Sequence, residues 1–214
     1  MEDPIDGVGH GATAVTEVRP ATLIDLDACA KLLARAFHDD PGAIVFDPDP
    51  ARRRQMLPGF FQSFVAAGLA EAGELVVTGD PVAGIACWFG PERHGPSEEA
   101  MNAHGFGEVL ERWGPDASRR ILAMTGEIEA QHETRIAGPH LRLDFFGVDP
   151  ERQGSGIGSA LIEHGHRRAD ELRLPCYLET FTQPNVRYYE RRGYAVIGEY
   201  PVGDAVPVYA MVRR

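Results

Sequence analysis

The sequence predicts a mixed α/β fold in one domain, and three observations carry that prediction. Segments with apolar residues at helical spacing are interleaved along the chain with short apolar runs of strand length. The 214 residues fill one domain at roughly 100–200 residues per domain. Hydrophobic residues at 43% and charged residues at 25% supply both a core and a solvated surface, which excludes global disorder.

Residues 1–14, with three glycines and three acids, read as a disordered tail, leaving 15–214 as the domain. Val15 to Arg19 is a first strand. Thr22 is a helix N-cap with Asp25 three positions on, a variant of the capping box. Leu26, Cys29, Ala30, Leu33 and Phe37 then mark a helix over 23–37. Asp39 to Pro50, rich in proline and aspartate, reads as loop. A helix over 51–70 follows, which Pro58 is expected to kink or split. The apolar runs 74–78 and 82–89, separated by Thr78-Gly79-Asp80-Pro81, form a hairpin. Residues 90–139 read as an insertion of two helices, broken at Gly114-Pro115, with Asp116 capping the second. The order closes with a strand 141–148, a helix 158–172, a strand 177–181, a short helix 184–192 and strands 194–200 and 206–212.

Composition narrows the function. The net charge is −11, and the whole excess precedes residue 142: 11 basic against 22 acidic side chains. Neither nucleic acid nor an anionic membrane is an expected partner, since both want a basic face. The acidic part suits a cationic ligand, or simply a solubilising surface. No stretch approaches the ~18 apolar residues of a membrane span. Met-Glu-Asp-Pro starts no secretory signal. Cys29, Cys87 and Cys176 are too far apart for a metal pair or a disulfide framework, so no metal and a reducing, cytoplasmic location are expected.

The most specific segment is LRLDFFGVDPERQGSGIGSAL, residues 141–161. A strand ends at Val148, Asp149-Pro150 turns the chain, and Gln153-Gly154-Ser155-Gly156-Ile157-Gly158 enters a helix. Glycines there let successive N–H groups point into one concavity, with the helix dipole behind them, which favours a phosphate. A P-loop is excluded because the only lysine is Lys31. The spacing Gly154-x-Gly156-x-Gly158 also misses the dinucleotide fingerprint. On the glycines alone, a phosphate site and a ligand-free connection remain equally open.

The whole stretch resembles the pyrophosphate motif of the GCN5-related N-acetyltransferases, Gln/Arg-x-x-Gly-x-Gly/Ala, as Gln153-x-x-Gly156-x-Gly158. A second motif follows in the same order as in that family: Leu178-Glu179-Thr180, Asn185, then Tyr188-Tyr189-Glu190-Arg191-Arg192-Gly193-Tyr194. Within the family the chain is most similar to the puromycin N-acetyltransferase-like group. The resemblance implies a mostly antiparallel central sheet with helices on both faces. Two neighbouring parallel strands, about 141–148 and 176–181, would splay at their C-terminal ends and take acetyl-CoA in the gap. It implies cofactor contacts from Gln153, Gly154, Ser155, Gly156, Ile157, Gly158 and Ser159 to the pyrophosphate. Phe146, Gly147 and Val148 would run beside the pantetheine arm, with Asn185 and Tyr188 in the wall and Arg152, Arg187 and Arg191 or Arg192 near the phosphates. It implies a small-molecule primary amine as acceptor, attacking directly in a ternary complex, and a monomer or homodimer. A protein lysine or N-terminal acetyltransferase, or an acyl-CoA sensor without turnover, are the alternatives.

The chemistry poses two proton problems. An alkyl amine of pKa ~10.4 is less than about a thousandth neutral at pH 7, so a base or a desolvating pocket is needed. A thiolate of pKa about 8.5 leaves better when protonated. The resemblance assigns the acid to Tyr189 and the oxyanion donor to the Val148 N–H. Glu179 is the candidate base, with His140, His132 or water as the other options. His164 and His166 are expected to be solvated, and Cys176 to be a small buried side chain.

Overall fold

Short runs of β-branched and aromatic residues build one seven-stranded sheet in the computed structural model, which describes residues 17–71 and 73–214. The expected tail 1–14 and the expected strand start at Val15 lie outside the described residues. The strands are β1 Val18–Pro20, β2 Glu74–Thr78, β3 Gly84–Phe89, β4 Leu141–Val148, β5 Cys176–Thr180, β6 Ala195–Val202 and β7 Val206–Arg213. Their order is β1-β2-β3-β4-β5-β7-β6. Every neighbouring pair is antiparallel except β4–β5.

That parallel pair joins only over Leu141↔Cys176, Arg142↔Tyr177 and Leu143↔Leu178. Beyond it, β4 stays with β3 as far as Val148↔Gly84, while β5 stays with β7 as far as Thr180↔Tyr209. The two strands therefore splay, as the resemblance implied. The β3–β4 register also shifts: Cys87 faces Phe145 but Trp88 faces Leu143, leaving Asp144 as an extra residue. Such a bulge re-aims side chains beside sites, and here Asp144 and Phe145 both front the same cavity.

Helices cover both faces. On one, α1 Leu26–Ala36 and α3 Pro50–Ala70 bury Leu32, Leu33, Phe61 and Phe64 against Val77, Ile85 and Cys87. On the other, α7 Ile157–Leu172 and α8 Gln183–Glu190 pack Leu161, Ile162 and Val186 with Trp88, Leu143 and Met211. Thr22 and Asp25 form the expected box, the Thr22 N–H donating to Asp25 Oδ2 at 2.9 Å; a single 3-10 turn, Leu23–Asp25, precedes α1.

Three expectations fail. The loop over 39–50 contains a helix, α2 Pro41–Phe46, because Asp40 caps it (Gly42 N–H to Oδ1, 2.8 Å) and Pro41 occupies the first turn, where its missing N–H costs nothing. Of the two outcomes expected at Pro58, the split does not occur: α3 runs unbroken through it. An internal proline costs about 3 kcal/mol. Full burial of Leu57, Phe60, Phe61, Phe64 and Val65, at roughly 1.5–3 kcal/mol per large apolar side chain, outweighs that. The insertion holds three helices, α4 Glu98–Ala103, α5 Phe106–Trp113 and α6 Pro115–Arg135. Gly114, at φ +90°, is the N-cap of α6, and Asp116 sits in its first turn, bound to Arg119 at 3.1 Å.

Candidate active site

The glycine turn is open. Gly154 and Gly156 have φ of +79° and +87°, and a Cβ added to either meets nothing within 4 Å. Gly156 is the N-cap of α7 and, among the described residues, no side chain caps the helix, which leaves its first-turn N–H groups without intrahelical partners. The Asp149 carboxylate holds the turn before it: Oδ1 accepts from Glu151 N–H at 3.1 Å, and the other oxygen pairs with Arg35. Gly158 is a different case. A Cβ there would sit 2.8 Å from the Tyr188 hydroxyl and 3.1 Å from the Phe146 ring. Tyr188 is fixed over this first turn by the Arg192 guanidinium, 3.6 Å above its ring, and Arg192 in turn donates to Ser159 Oγ at 2.7 Å. A concave run of free amides with a guanidinium beside it fits a pyrophosphate.

Phe146 forms the boundary between this cradle and a cavity of about 1090 Å³. Backbone direction matters at that boundary. The Asp149 N–H donates to Ala83 O at 2.9 Å, on the β3 side. By strand alternation the N–H groups of Val148 and Phe146 point to the other edge, the one β5 has left.

Aromatic rings and carboxylates both line the cavity. Phe37 at the C-cap of α1, Phe60, Phe61 and Phe64 of α3 and Phe145 of β4 supply rings, in mostly edge-to-face contacts. Asp40, Glu129, Asp144 and Glu179 supply carboxylates. Tyr189 and Asn185 reach the cavity from α8, so Tyr189 and Glu179 share one site. Burial pushes the Tyr189 phenol above its ordinary value, with Tyr188 adding to the effect.

Glu179 is fully engaged: its Oε1 accepts from the Tyr177 hydroxyl at 2.6 Å and its Oε2 from Arg142 at 3.2 Å. Arg142 is itself buried and also bonds Glu129 at 2.5 Å. Asp144 makes no hydrogen bond among the described residues, and burial pushes its carboxyl up to about 6 against the pull of Arg142. Burial also pushes Asp40 up to about 6, against the N–H groups of Gly42 and Ala43. Sequence reasoning missed Arg142, Asp144 and Asp40. A signal for the first two exists: two charges inside an apolar run that must be a central strand.

His132 and His140 are buried, their Nε2 atoms 2.7 Å apart. His140 Nδ1 lies 2.8 Å from Gly138 O and must donate to it, which leaves its Nε2 as the acceptor from His132. His164 and His166 are half-buried rather than solvated, held by Glu74 at 2.8 Å and the Tyr194 hydroxyl at 3.2 Å. Cys29, Cys87 and Cys176 are free and buried.

The comparisons agree with this geometry. Residues 49–194 match the "Acetyltransferase (GNAT) family". A mycothiol acetyltransferase of Propionibacterium freudenreichii is 28% identical over 49% of this chain and 36% of its own. A second, from Nocardiopsis dassonvillei, is 35% identical over 42% of this chain and 31% of its own. The match thus spans about a third of these relatives' length. A Corynebacterium glutamicum crystal structure, described as histone acetyltransferase HPA2 and related acetyltransferase, superposes with a TM-score of 0.69 at 25% identity, covering 92% of this chain and 95% of that one. With a family match across more than half its residues and the splayed parallel pair at its centre, the chain belongs to the acetyltransferase (GNAT) family.

Proposed function

We propose that this chain is an N-acetyltransferase that moves the acetyl group of acetyl-CoA, the cosubstrate of its family, to the primary amine of a small molecule. One observation carries the reading: the splay of β4 from β5 lies between an uncapped phosphate cradle and an acid-lined aromatic cavity. The bound thioester supplies an acyl carbon open to attack and a thiolate leaving group. Gly154 to Ser159 hold the pyrophosphate through main-chain amides, Arg192 adds positive charge, and the free edge of Phe146, Gly147 and Val148 pairs with the pantetheine amides. Asn185 and Tyr188 complete that wall.

Asp144 takes the proton that the attacking nitrogen loses: alone among Asp40, Glu129, Asp144 and Glu179 its carboxylate has no hydrogen-bond partner among the described residues, and burial raises its pKa, like that of Asp40, to about 6. Glu179, with Arg142, fixes the wall on which Asp144 works. The Val148 N–H donates to the developing oxyanion. Tyr189 donates its proton to the sulfur as the carbon–sulfur bond breaks. Asp40, Glu129 and Asp144 attract a cationic amine, and the phenylalanines desolvate its body. Phe106 and Leu110 of α5 and Met124 and Ile128 of α6 line the cavity, which supports a small acceptor, and the likeness to the puromycin N-acetyltransferase-like group, over a protein chain. A panel of amines with free-thiol detection tests the reading. Turnover with small primary amines carrying an apolar body is expected. No thiol release with any amine, or release only with a histone-tail peptide, contradicts it.

A further inference from the structure

One cluster on the cavity wall has no part in the acetyl transfer described above. His94, in the segment after β3, His132, near the end of α6, and His140, just before β4, come together from three separate parts of the chain. One ring nitrogen from each lies within 4.8 Å of the others. We propose that His94, His132 and His140 form a binding site for a divalent transition-metal ion of the zinc type, with a fourth position open to the cavity.

Four features support this. Imidazole nitrogen suits zinc, and three histidines with one open position is a recurrent arrangement for it. His94 Nε2 is buried with no hydrogen-bond partner among the described residues, a polar atom that a neighbouring metal would satisfy. The outer contacts orient the rings: Gly138 O accepts from His140 Nδ1 at 2.8 Å, and Glu129 Oε2 lies 3.7 Å from His132 Nδ1. Both direct Nε2 inward, as carboxylate and carbonyl partners of metal-bound histidines do. Finally, Glu129, Asp144 and Glu179 surround one guanidinium, Arg142, so the carboxylates exceed it by two charges, the amount a divalent ion neutralises.

Binding requires a tautomer change at His132, whose proton moves from Nε2 to the Nδ1 that faces Glu129, and two local adjustments. Two nitrogens at about 2.0–2.1 Å from a tetrahedral ion stand roughly 3.3 Å apart, so the 2.7 Å His132–His140 contact opens slightly. His94, stacked on His140 with ring centroids 3.8 Å apart, turns its edge to the ion. Its place on the connection after β3 allows that turn.

The site is tested on tag-free protein, with Zn²⁺ and Co²⁺ as the probes. Calorimetry is expected to give one Zn²⁺ per chain, and Co²⁺ the intense visible absorption of four-coordinate geometry, displaced by Zn²⁺. His94→Ala, a change at the least buried of the three, is expected to weaken Zn²⁺ binding by about tenfold or more, the loss that even an outer partner produces. Absence of saturable binding, a pale six-coordinate Co²⁺ spectrum, or wild-type affinity in His94→Ala would each overturn the proposal. The wild-type spectrum needs no variant to fold, and none of these readings depends on acetyl transfer.

Discussion

In the proposed reaction Tyr189 and Asp144 divide the two proton transfers, and their environments differ accordingly. The phenol is buried and pushed above its ordinary value, so it keeps its proton at neutrality. The carboxyl, at about 6, is mostly ionised there and free to accept one. Tyr189→Phe and Asp144→Asn are each expected to lower kcat by about 10²–10⁴-fold, the usual worth of a positioned acid or base, with acetyl-CoA affinity unchanged. A variant of wild-type rate removes that residue from the mechanism. Single residues were unequally legible. Tyr189 could be read from a short motif with fixed spacing to Gly193. Glu179 could be placed on a strand face, but its commitment to Arg142 and Tyr177 depends on the β4–β5 register, which spacing does not carry. Asp144 sits at a bulge, and a one-residue register shift leaves no mark in the pattern of LRLDFFGV.

At the scale of elements, α7 does two jobs. Its uncapped start forms the cradle, and its middle lies against β3 with no room for a side chain. A Cβ at Gly165 would come within 2.1 Å of Trp88 Cε2. Gly165→Ala is therefore expected to destabilise the fold by at least about 1–3 kcal/mol, the range for overpacking a filled core, despite alanine's better helix propensity. Urea denaturation checks this, and an unchanged or raised midpoint would contradict the packing. The long elements were readable because their apolar period is sustained: β4 agrees residue for residue, and α7 differs by one. Failures came where local signals compete. An Asp-Pro pair marks loops as often as helix starts, which hid α2. Pro58 ordinarily ends a helix, yet the rings of Phe60, Phe61 and Phe64 hold α3 together through it.

In the molecule as a whole, the splay is what makes a site out of a sheet. It places the cradle and the cavity on either side of Phe146, and the acidic excess of residues 1–141 contributes Asp40 and Glu129 to the acceptor side. Composition and periodicity reached only a mixed α/β domain. The strand order, with β7 inserted between β5 and β6, is a matter of long-range pairing, and the resemblance carried by two motifs reached only the mostly antiparallel sheet and its splayed parallel pair. The three histidines were out of reach for the same reason: they converge from positions 94, 132 and 140 without any metal-ligand spacing. The most direct test is titration calorimetry with acetyl-CoA. One molecule per chain, bound saturably, is the expected result; no heat of binding at millimolar acetyl-CoA would contradict a cradle at residues 153–159 that opens onto the gap between β4 and β5.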